Sequence, residues 1–208
     1  MPYPNTLTAV DEGLTLYVPD TESVKTIYER LLAEDNSTRF PFWAKIWPSS
    51  RAMTSFLRKE RFWVEGKRVL EIGAGIGLPS FDSASHAREL IISDHSIEAV
   101  ELAEKNIRHL GLKNVKAMYL DWNHFPEGIV GETVLLSDVN YSPEEFGNLL
   151  DLIQKFLERG ATVIISTPQR LAATKFVDAV QPYIQESMQM TIDGQGQTSD
   201  ICILVLSL

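Results

Sequence analysis

Between Arg68 and Leu78 the chain reads Arg-Val-Leu-Glu-Ile-Gly-Ala-Gly-Ile-Gly-Leu, a short apolar run closed by three alternating glycines. Such a run, bounded by glycine, predicts a buried strand that turns sharply into a helix. A strand–turn–helix junction opens a parallel strand–helix unit. It also lets the backbone come close to a ligand above the turn. One such unit predicts others like it, with ligands held at the carboxyl ends of the strands.

The sequence supplies that alternation. Leu90-Ile91-Ile92-Ser93-Asp94 predicts a second strand, and Ser96 starts a helix carrying Ile97, Val100, Ala103, Ile107 and Leu110 before a Gly111 stop. Val115 to Leu120 predicts a third strand and Thr133 to Ser137 a fourth. Ser142-Pro143-Glu144-Glu145 has the form of a capping box, ahead of a helical stripe at Phe146, Leu149, Leu150, Ile153, Phe156 and Leu157. Ala161 to Ser166 is the fifth strand and Leu171 to Val180 a further helix. Ile184 to Ile192, an Asp193-Gly194-Gln195-Gly196 turn and Ile201 to Leu206 read as a closing strand pair. The class is α/β, a doubly wound parallel sheet with both faces covered.

Residues 67–208 form this core, and residues 1–66 are a lead-in belonging to the same domain. In the lead-in, Leu14 to Val18 predicts a short strand and Val24, Ile27, Tyr28, Leu31 and Leu32 one face of a helix. Pro48 suits the first position of a second helix, with Ala52, Met53, Phe56 and Leu57 facing inward. Between the two helices runs the aromatic-rich stretch Phe40-Pro41-Phe42-Trp43-Ala44-Lys45-Ile46-Trp47.

Composition excludes several classes of function. The chain's 208 residues bound it to one domain, and 44% hydrophobic with 23% charged residues is wrong for disorder. With 19 Lys and Arg against 28 Asp and Glu, its net charge of −9 disfavours nucleic acid and anionic membranes. A basic protein or a small molecule suits it better. Its one cysteine, Cys202, lies in an apolar strand, so no intrachain disulfide or paired-cysteine zinc site is expected. The four histidines lack metal-ligand spacing, so no metal is expected. Met1-Pro2-Tyr3-Pro4 carries no secretory signal, and no apolar run approaches the ~20 residues of a membrane span. A cytoplasmic protein is the expectation.

The glycine turn discriminates between cofactors. A dinucleotide fingerprint requires G-x-G-x-x-G, whereas position 78 here is Leu and the spacing is G-x-G-x-G. Glu71 stands at the strand end before the glycines, where it could pair with an amino-acid ammonium group. That combination argues for S-adenosylmethionine rather than a nicotinamide dinucleotide. Asp94, ending the second strand, can accept hydrogen bonds from ribose hydroxyls. Asp121 could accept from an adenine amine, with Trp122 as an apolar wall.

Val69 to Gly77, Asp94, Leu120-Asp121-Trp122 and Asp138-Val139-Asn140-Tyr141 together resemble the class I, seven-stranded S-adenosylmethionine-dependent methyltransferases. More narrowly, the chain is similar to the protein-lysine methyltransferase-like group, which has a D-x-x-Y motif after the fourth strand and a W-P helix start before the first. Here those are Asp138 with Tyr141, and Trp47-Pro48. The resemblance implies a Rossmann-like seven-stranded sheet, mostly parallel with an antiparallel C-terminal strand. It implies that Gly73, Ala74 and Gly75 contact the methionine part of the cofactor, Asp94 the ribose and Trp122 the adenine. Ser137 would lie against the cofactor by its backbone, and Trp47 would close over it.

The implied activity is N-methylation of a protein lysine, leaving S-adenosylhomocysteine. A small-molecule amine acceptor, or cofactor binding without turnover, are the alternatives. Asp138 would orient the acceptor amine by a charge-assisted hydrogen bond, and the Tyr141 ring would hold the cation. Asn140 departs from the larger apolar residue common at its place in the motif, which bears on the acceptor.

Overall fold

The computed structural model describes residues 3–140, 142–168, 174–194 and 197–208. A hairpin of β1 (Asn5–Asp11) and β2 (Leu14–Pro19) opens the chain, followed by α1 (Thr21–Glu34) and α2 (Pro48–Lys59). Then come β3 (Arg68–Ile72), α3 (Leu78–Ser83), β4 (Glu89–Asp94), α4 (Ile97–Leu110) and β5 (Val115–Tyr119). The remainder is β6 (Thr133–Ser137), α5 (Phe146–Glu158), β7 (Thr162–Pro168), α6 (Thr174–Val180), β8 (Ile184–Gly194) and β9 (Gln197–Leu206).

Seven strands form one sheet in the order β5-β4-β3-β6-β7-β9-β8, and β9 alone runs against the rest. This is the Rossmann-like topology that the resemblance implies. From β3 the chain winds outward through β4 to β5, then returns to place β6 on the other flank of β3. The reversal opens a crevice at the carboxyl ends of β3 and β6, where such sheets hold ligands.

Alternation along each strand sends successive side chains to opposite faces. Val69, Leu90, Ile92, Leu135 and Ile164 point to the side covered by α2, α3 and α4, where they meet Met53, Phe56, Phe81 and Leu102. Leu70, Ile72, Ile91, Leu136 and Ile165 point to the side covered by α5 and α6, against Leu149, Ile153, Phe156 and Phe176. A sheet buried on both faces needs near-continuous apolar strands, which is what β3, β4, β6 and β7 are.

The helix signals translate directly in most places. Pro48 is the first residue of α2, and the Ser96 hydroxyl accepts from the Ala99 N–H at the start of α4. Gly111 ends α4 with φ 64°. The capping box at Ser142 does not form: its side chain makes no cap hydrogen bond, a 3-10 turn spans Pro143–Glu145 and the α-helix begins only at Phe146. β1 was not expected from its sequence: most of it is exposed, so no apolar alternation betrays it. The start of the helix expected at Leu171 and the turn at Gln195-Gly196 lie outside the described residues.

The hairpin matters to the site because it braces the lead-in. Asn106, fully buried on α4, accepts from the Tyr17 N–H at 2.7 Å and donates to the Tyr17 carbonyl at 3.0 Å. Lys105 adds a bond to Asn5 Oδ1 at 2.6 Å and lies 3.6 Å from the Tyr17 ring centroid. Beyond the hairpin, Tyr3 packs edge-on against Trp43 with ring centroids 5.6 Å apart. Replacing Asn106 by Ala strands two backbone groups of β2 against α4. Asn106→Ala is expected to lower unfolding free energy by about 2 kcal/mol. Urea unfolding measures that loss, and hydrogen exchange should show it concentrated in β2.

Candidate functional site

The loop after β3 carries the sharpest backbone constraint in the molecule. Gly75 has φ 54°, and a Cβ there would lie 3.0 Å from the Trp43 carbonyl oxygen. Its N–H donates to Asp94 Oδ2 at 2.8 Å, and the Ala74 N–H donates to the Ser93 carbonyl at 2.9 Å. Gly73 has φ 65°, and a Cβ there would meet Val139 Cγ1 at 3.0 Å and the Trp122 ring at 3.4 Å. At both positions only glycine combines the left-handed turn with so close an approach.

Above this loop lies a cavity of about 630 Å³, a size suited to a cofactor-sized molecule. Its floor is the glycine loop from Gly73 to Leu78, and one flank is Asp94 with His95. Opposite stand Ser137, Asp138 and Val139 at the end of β6, with Trp122 beside them. The remaining wall comes from the lead-in, as a chain of rings. Tyr28 and Phe40 have centroids 5.1 Å apart, Phe40 and Phe42 5.3 Å, and Phe42 and Trp47 6.0 Å. The Trp47 indole N–H donates to the Phe42 carbonyl at 2.9 Å, which closes that strap on itself.

Of the expected site residues, the cavity wall brings together Trp47, Gly73, Ala74, Gly75, Asp94, Trp122, Ser137 and Asp138. Two others are not on it. Glu71 alternates onto the face that α3 covers and is fully buried. Asp121 serves its own turn, accepting from the Asn123 N–H at 2.9 Å and pairing with His124 at 3.1 Å. Although partial burial pushes the Asp121 carboxyl up, those contacts hold it below its ordinary range. Tyr141 lies outside the described residues.

Each remaining group has a definite environment. Asp94 Oδ1 accepts from the Ser96 N–H at 2.9 Å, and His95 Nδ1 lies 3.4 Å away. Burial nevertheless pushes the Asp94 carboxyl above its ordinary range, against the pull of those N–H groups. Trp122 is oriented by its indole N–H, which donates to Glu145 Oε2 at 2.9 Å. Glu145 belongs to the failed capping box, and this bond is where its carboxylate goes. Asp138 is the one non-glycine with positive φ among the described residues, at 58°, a conformation Asp adopts more readily than most. Its N–H is held by the Ser166 carbonyl at 2.9 Å. Asn140 is buried and accepts from the Thr167 hydroxyl at 2.8 Å, tying the end of β6 to the end of β7.

Sequence reasoning missed Arg39 and Lys45, which also line the cavity. The available signal was two cations set within an aromatic run, in a chain of net charge −9. It missed Tyr28 as well, because an i, i+4 apolar stripe gives no hint of which end of a helix meets a cavity. Among the described residues, no three His, Cys, Asp or Glu side chains gather as a metal-holding group.

Comparison with known proteins is consistent with this geometry. Residues 29–182 match the lysine methyltransferase family. The histone-arginine methyltransferase METTL23 of Homo sapiens is 28% identical over 124 residues, covering 57% of this chain and 65% of that protein. The calmodulin-lysine N-methyltransferase of Arabidopsis thaliana is 29% identical over 135 residues, covering 60% of this chain and 44% of that protein. The chain thus spans about half to two thirds of these relatives. Among solved structures, the N-methyltransferase NodS from Bradyrhizobium japonicum WM9, in complex with S-adenosyl-L-homocysteine, superimposes with a TM-score of 0.62 at 18% identity. That match covers 88% of this chain and 98% of NodS, and it speaks to the fold.

Glu71 carries a measurable consequence of its burial. Burial pushes its carboxyl up from 4.5 to about 7, opposed by the Ser80 hydroxyl and N–H and reinforced by Asp94. Ser80 is near enough to act on the charge, yet neither carboxylate oxygen has a well-formed hydrogen bond. A carboxyl with a raised folded pKa holds its proton more tightly when folded, so stability falls as pH rises from 4.5 towards 7. The full shift is worth roughly 3 kcal/mol. Glu71→Gln is expected to gain stability relative to the parent at pH 8 and little at pH 4.5. Equal pH dependence of the two in urea unfolding would show Glu71 to be ionised in the fold at no cost.

Proposed function

The chain belongs to the lysine methyltransferase family, and from that premise we propose that it is an S-adenosylmethionine-dependent N-methyltransferase acting on a protein lysine side chain. The single observation that carries the reading is the cavity that joins the glycine loop and Asp94 at one flank to Asp138 at the other. The curated relatives act, by name, on arginine of histone and lysine of calmodulin, which supports a nitrogen on a protein as acceptor.

The residues fit the cofactor. Gly73 and Gly75 leave a cradle that a Cβ would close against Val139, Trp122 and the Trp43 backbone. Each Asp94 oxygen accepts one N–H, leaving capacity for ribose hydroxyls. Trp122, with its ring set by Glu145, offers a face for adenine. The buried Ser137 hydroxyl has no hydrogen-bond partner among the described residues and is a further polar group available to a ligand. Trp47 and Phe42 line the lead-in side of the cavity. When bound, the cofactor supplies a methyl group on a sulfonium, an electrophile that needs no acid to activate it.

The protein's part is then alignment of the acceptor, which is worth orders of magnitude in rate. A lysine amine with an ordinary pKa near 10.4 arrives protonated and must lose its proton to water before it can attack. Asp138 attracts and orients that nitrogen by a charge-assisted hydrogen bond. Its left-handed backbone, pinned by Ser166, holds the carboxylate at the end of β6. Tyr141, three residues on, is proposed from the motif to receive the cation.

Label from S-adenosylmethionine carrying an isotopic methyl group, supplied with the protein to a cell extract, is expected on a discrete protein band. Label confined to small molecules would overturn the protein acceptor. Asp138→Asn keeps a residue that tolerates positive φ while removing the charge. It is expected to cut turnover about a hundredfold and leave S-adenosylhomocysteine affinity nearly unchanged in calorimetry. An equal loss of both would move Asp138 into the cofactor pocket.

A further inference from the structure

Lys45 is set on the wall of the cavity, and among the described residues no other lysine lines it. Its root is fixed close to the glycine loop. A Cβ on Gly75 would lie 3.3 Å from Trp43 Cα. Two further residues of backbone span at most ~7 Å, so Lys45 cannot start far from that loop. The Ala44 N–H donates to the Pro41 carbonyl at 3.0 Å and Ala44 is buried, which anchors the backbone just before Lys45.

Its head group is not committed elsewhere. Lys45 is exposed, and among the described residues its Nζ enters no salt bridge and no hydrogen bond. Nζ lies 4.8 Å from the ring centroid of Trp47, which lines the same cavity. A cation–π contact at an exposed site is weak, and it accommodates a methylated ammonium as well as an unmethylated one. A cavity of about 630 Å³ is small enough for a flexible four-carbon stem rooted on its wall to reach its interior. Arg39 shares the wall, but a guanidinium keeps its proton and has no free electron pair with which to attack.

We propose that Lys45 is a self-methylation site, the chain's own lysine serving as methyl acceptor in its own cavity. The inference rests on the methyltransferase reading and deepens it by naming one acceptor. The Lys45 amine gives a proton to water and attacks the methyl carbon of S-adenosylmethionine. A nitrogen–carbon bond forms as the carbon–sulfur bond breaks, the electron pair stays on sulfur, and S-adenosylhomocysteine leaves. No encounter with a second protein is needed, because the acceptor is already held at the site. The methylated side chain keeps its positive charge, and with it the contact to Trp47.

Two measurements on the full chain test it. In the first, acetylation of each lysine by an amine-reactive reagent is followed by peptide mass, with and without S-adenosylhomocysteine, whose binding is checked by calorimetry. Bound S-adenosylhomocysteine is expected to slow Lys45 several-fold relative to Lys67, which lies over the Trp63 ring and does not line the cavity. A ratio that does not move overturns the site, since the Lys45 amine is then out of reach of the bound cofactor. In the second, the chain is incubated with methyl-labelled S-adenosylmethionine and no other acceptor. Label is expected on Lys45 at roughly tenfold or more over any other lysine, at a rate per chain independent of protein concentration. It should vanish from that peptide in Lys45→Arg, which keeps the cation but not the amine. Label spread evenly over the lysines, or undiminished in Lys45→Arg, sinks the assignment, and a rate per chain that rises with concentration overturns transfer within one chain. If the protein binds S-adenosylhomocysteine but Lys45 stays unlabelled, self-methylation fails and the methyltransferase reading stands. Failure to bind S-adenosylhomocysteine at all overturns both.

Discussion

One buried carboxylate gives the loop after β3 its shape. Asp94 accepts from the Gly75 N–H with one oxygen and from the Ser96 N–H with the other, so it ties the loop to the start of the next helix. With Ala74 bonded to Ser93, the loop cannot relax into the helix that follows it. The path through positive φ at Gly73 and Gly75 is therefore held by hydrogen bonds and not by glycine alone. Every other wall of the cavity is referred to this loop. Trp43 packs its backbone on Gly75, while Val139 and Trp122 pack on Gly73.

The same arrangement concentrates acid under the loop. Glu71 lies close enough to Asp94 for that carboxylate to raise its cost of ionisation, and both are buried. Asp94 accepts from two N–H groups, whereas Glu71 has no well-formed hydrogen bond and burial pushes its carboxyl up to about 7. Burial raises both carboxyls, and it weighs more heavily on the one with the poorer hydrogen bonds.

Charge is also divided across the cavity. The core contributes Asp94 and Asp138 at strand ends, and the lead-in contributes Arg39, Lys45 and the uncapped start of α2. Their separation depends on the lead-in being held against the core, through Asn106 and Tyr17 at the hairpin and through Tyr3 and Trp43 at the strap. Along the strap Phe40 and Trp43 pack against Tyr3 and Val24, while Phe42 is exposed.

Much of this was legible in the amino-acid order because it depends on local chemistry. Apolar runs buried on both faces, Pro48 at a helix start, Ser96 as a cap and glycines at a left-handed turn each declare themselves within a few residues. So did the strand-end positions of Asp94 and Asp138. What stayed hidden depended on partners far along the chain. Glu71 was expected at the cavity, but strand alternation turned it under α3, and no local pattern reports which face a ligand occupies. Asp121 was expected to face a ligand, but its own turn claimed it. Glu145 read as a capping residue until Trp122, 23 positions earlier, supplied a better donor. Arg39 and Lys45 became neighbours of Asp94 and Asp138 only when the lead-in folded back over the sheet. Sequence alone determined most of the elements, though not the exposed β1, and the strand-end residues, since backbone propensity and periodicity act locally. Tertiary structure alone decided which charges share the cavity, because that depends on which surfaces pack together.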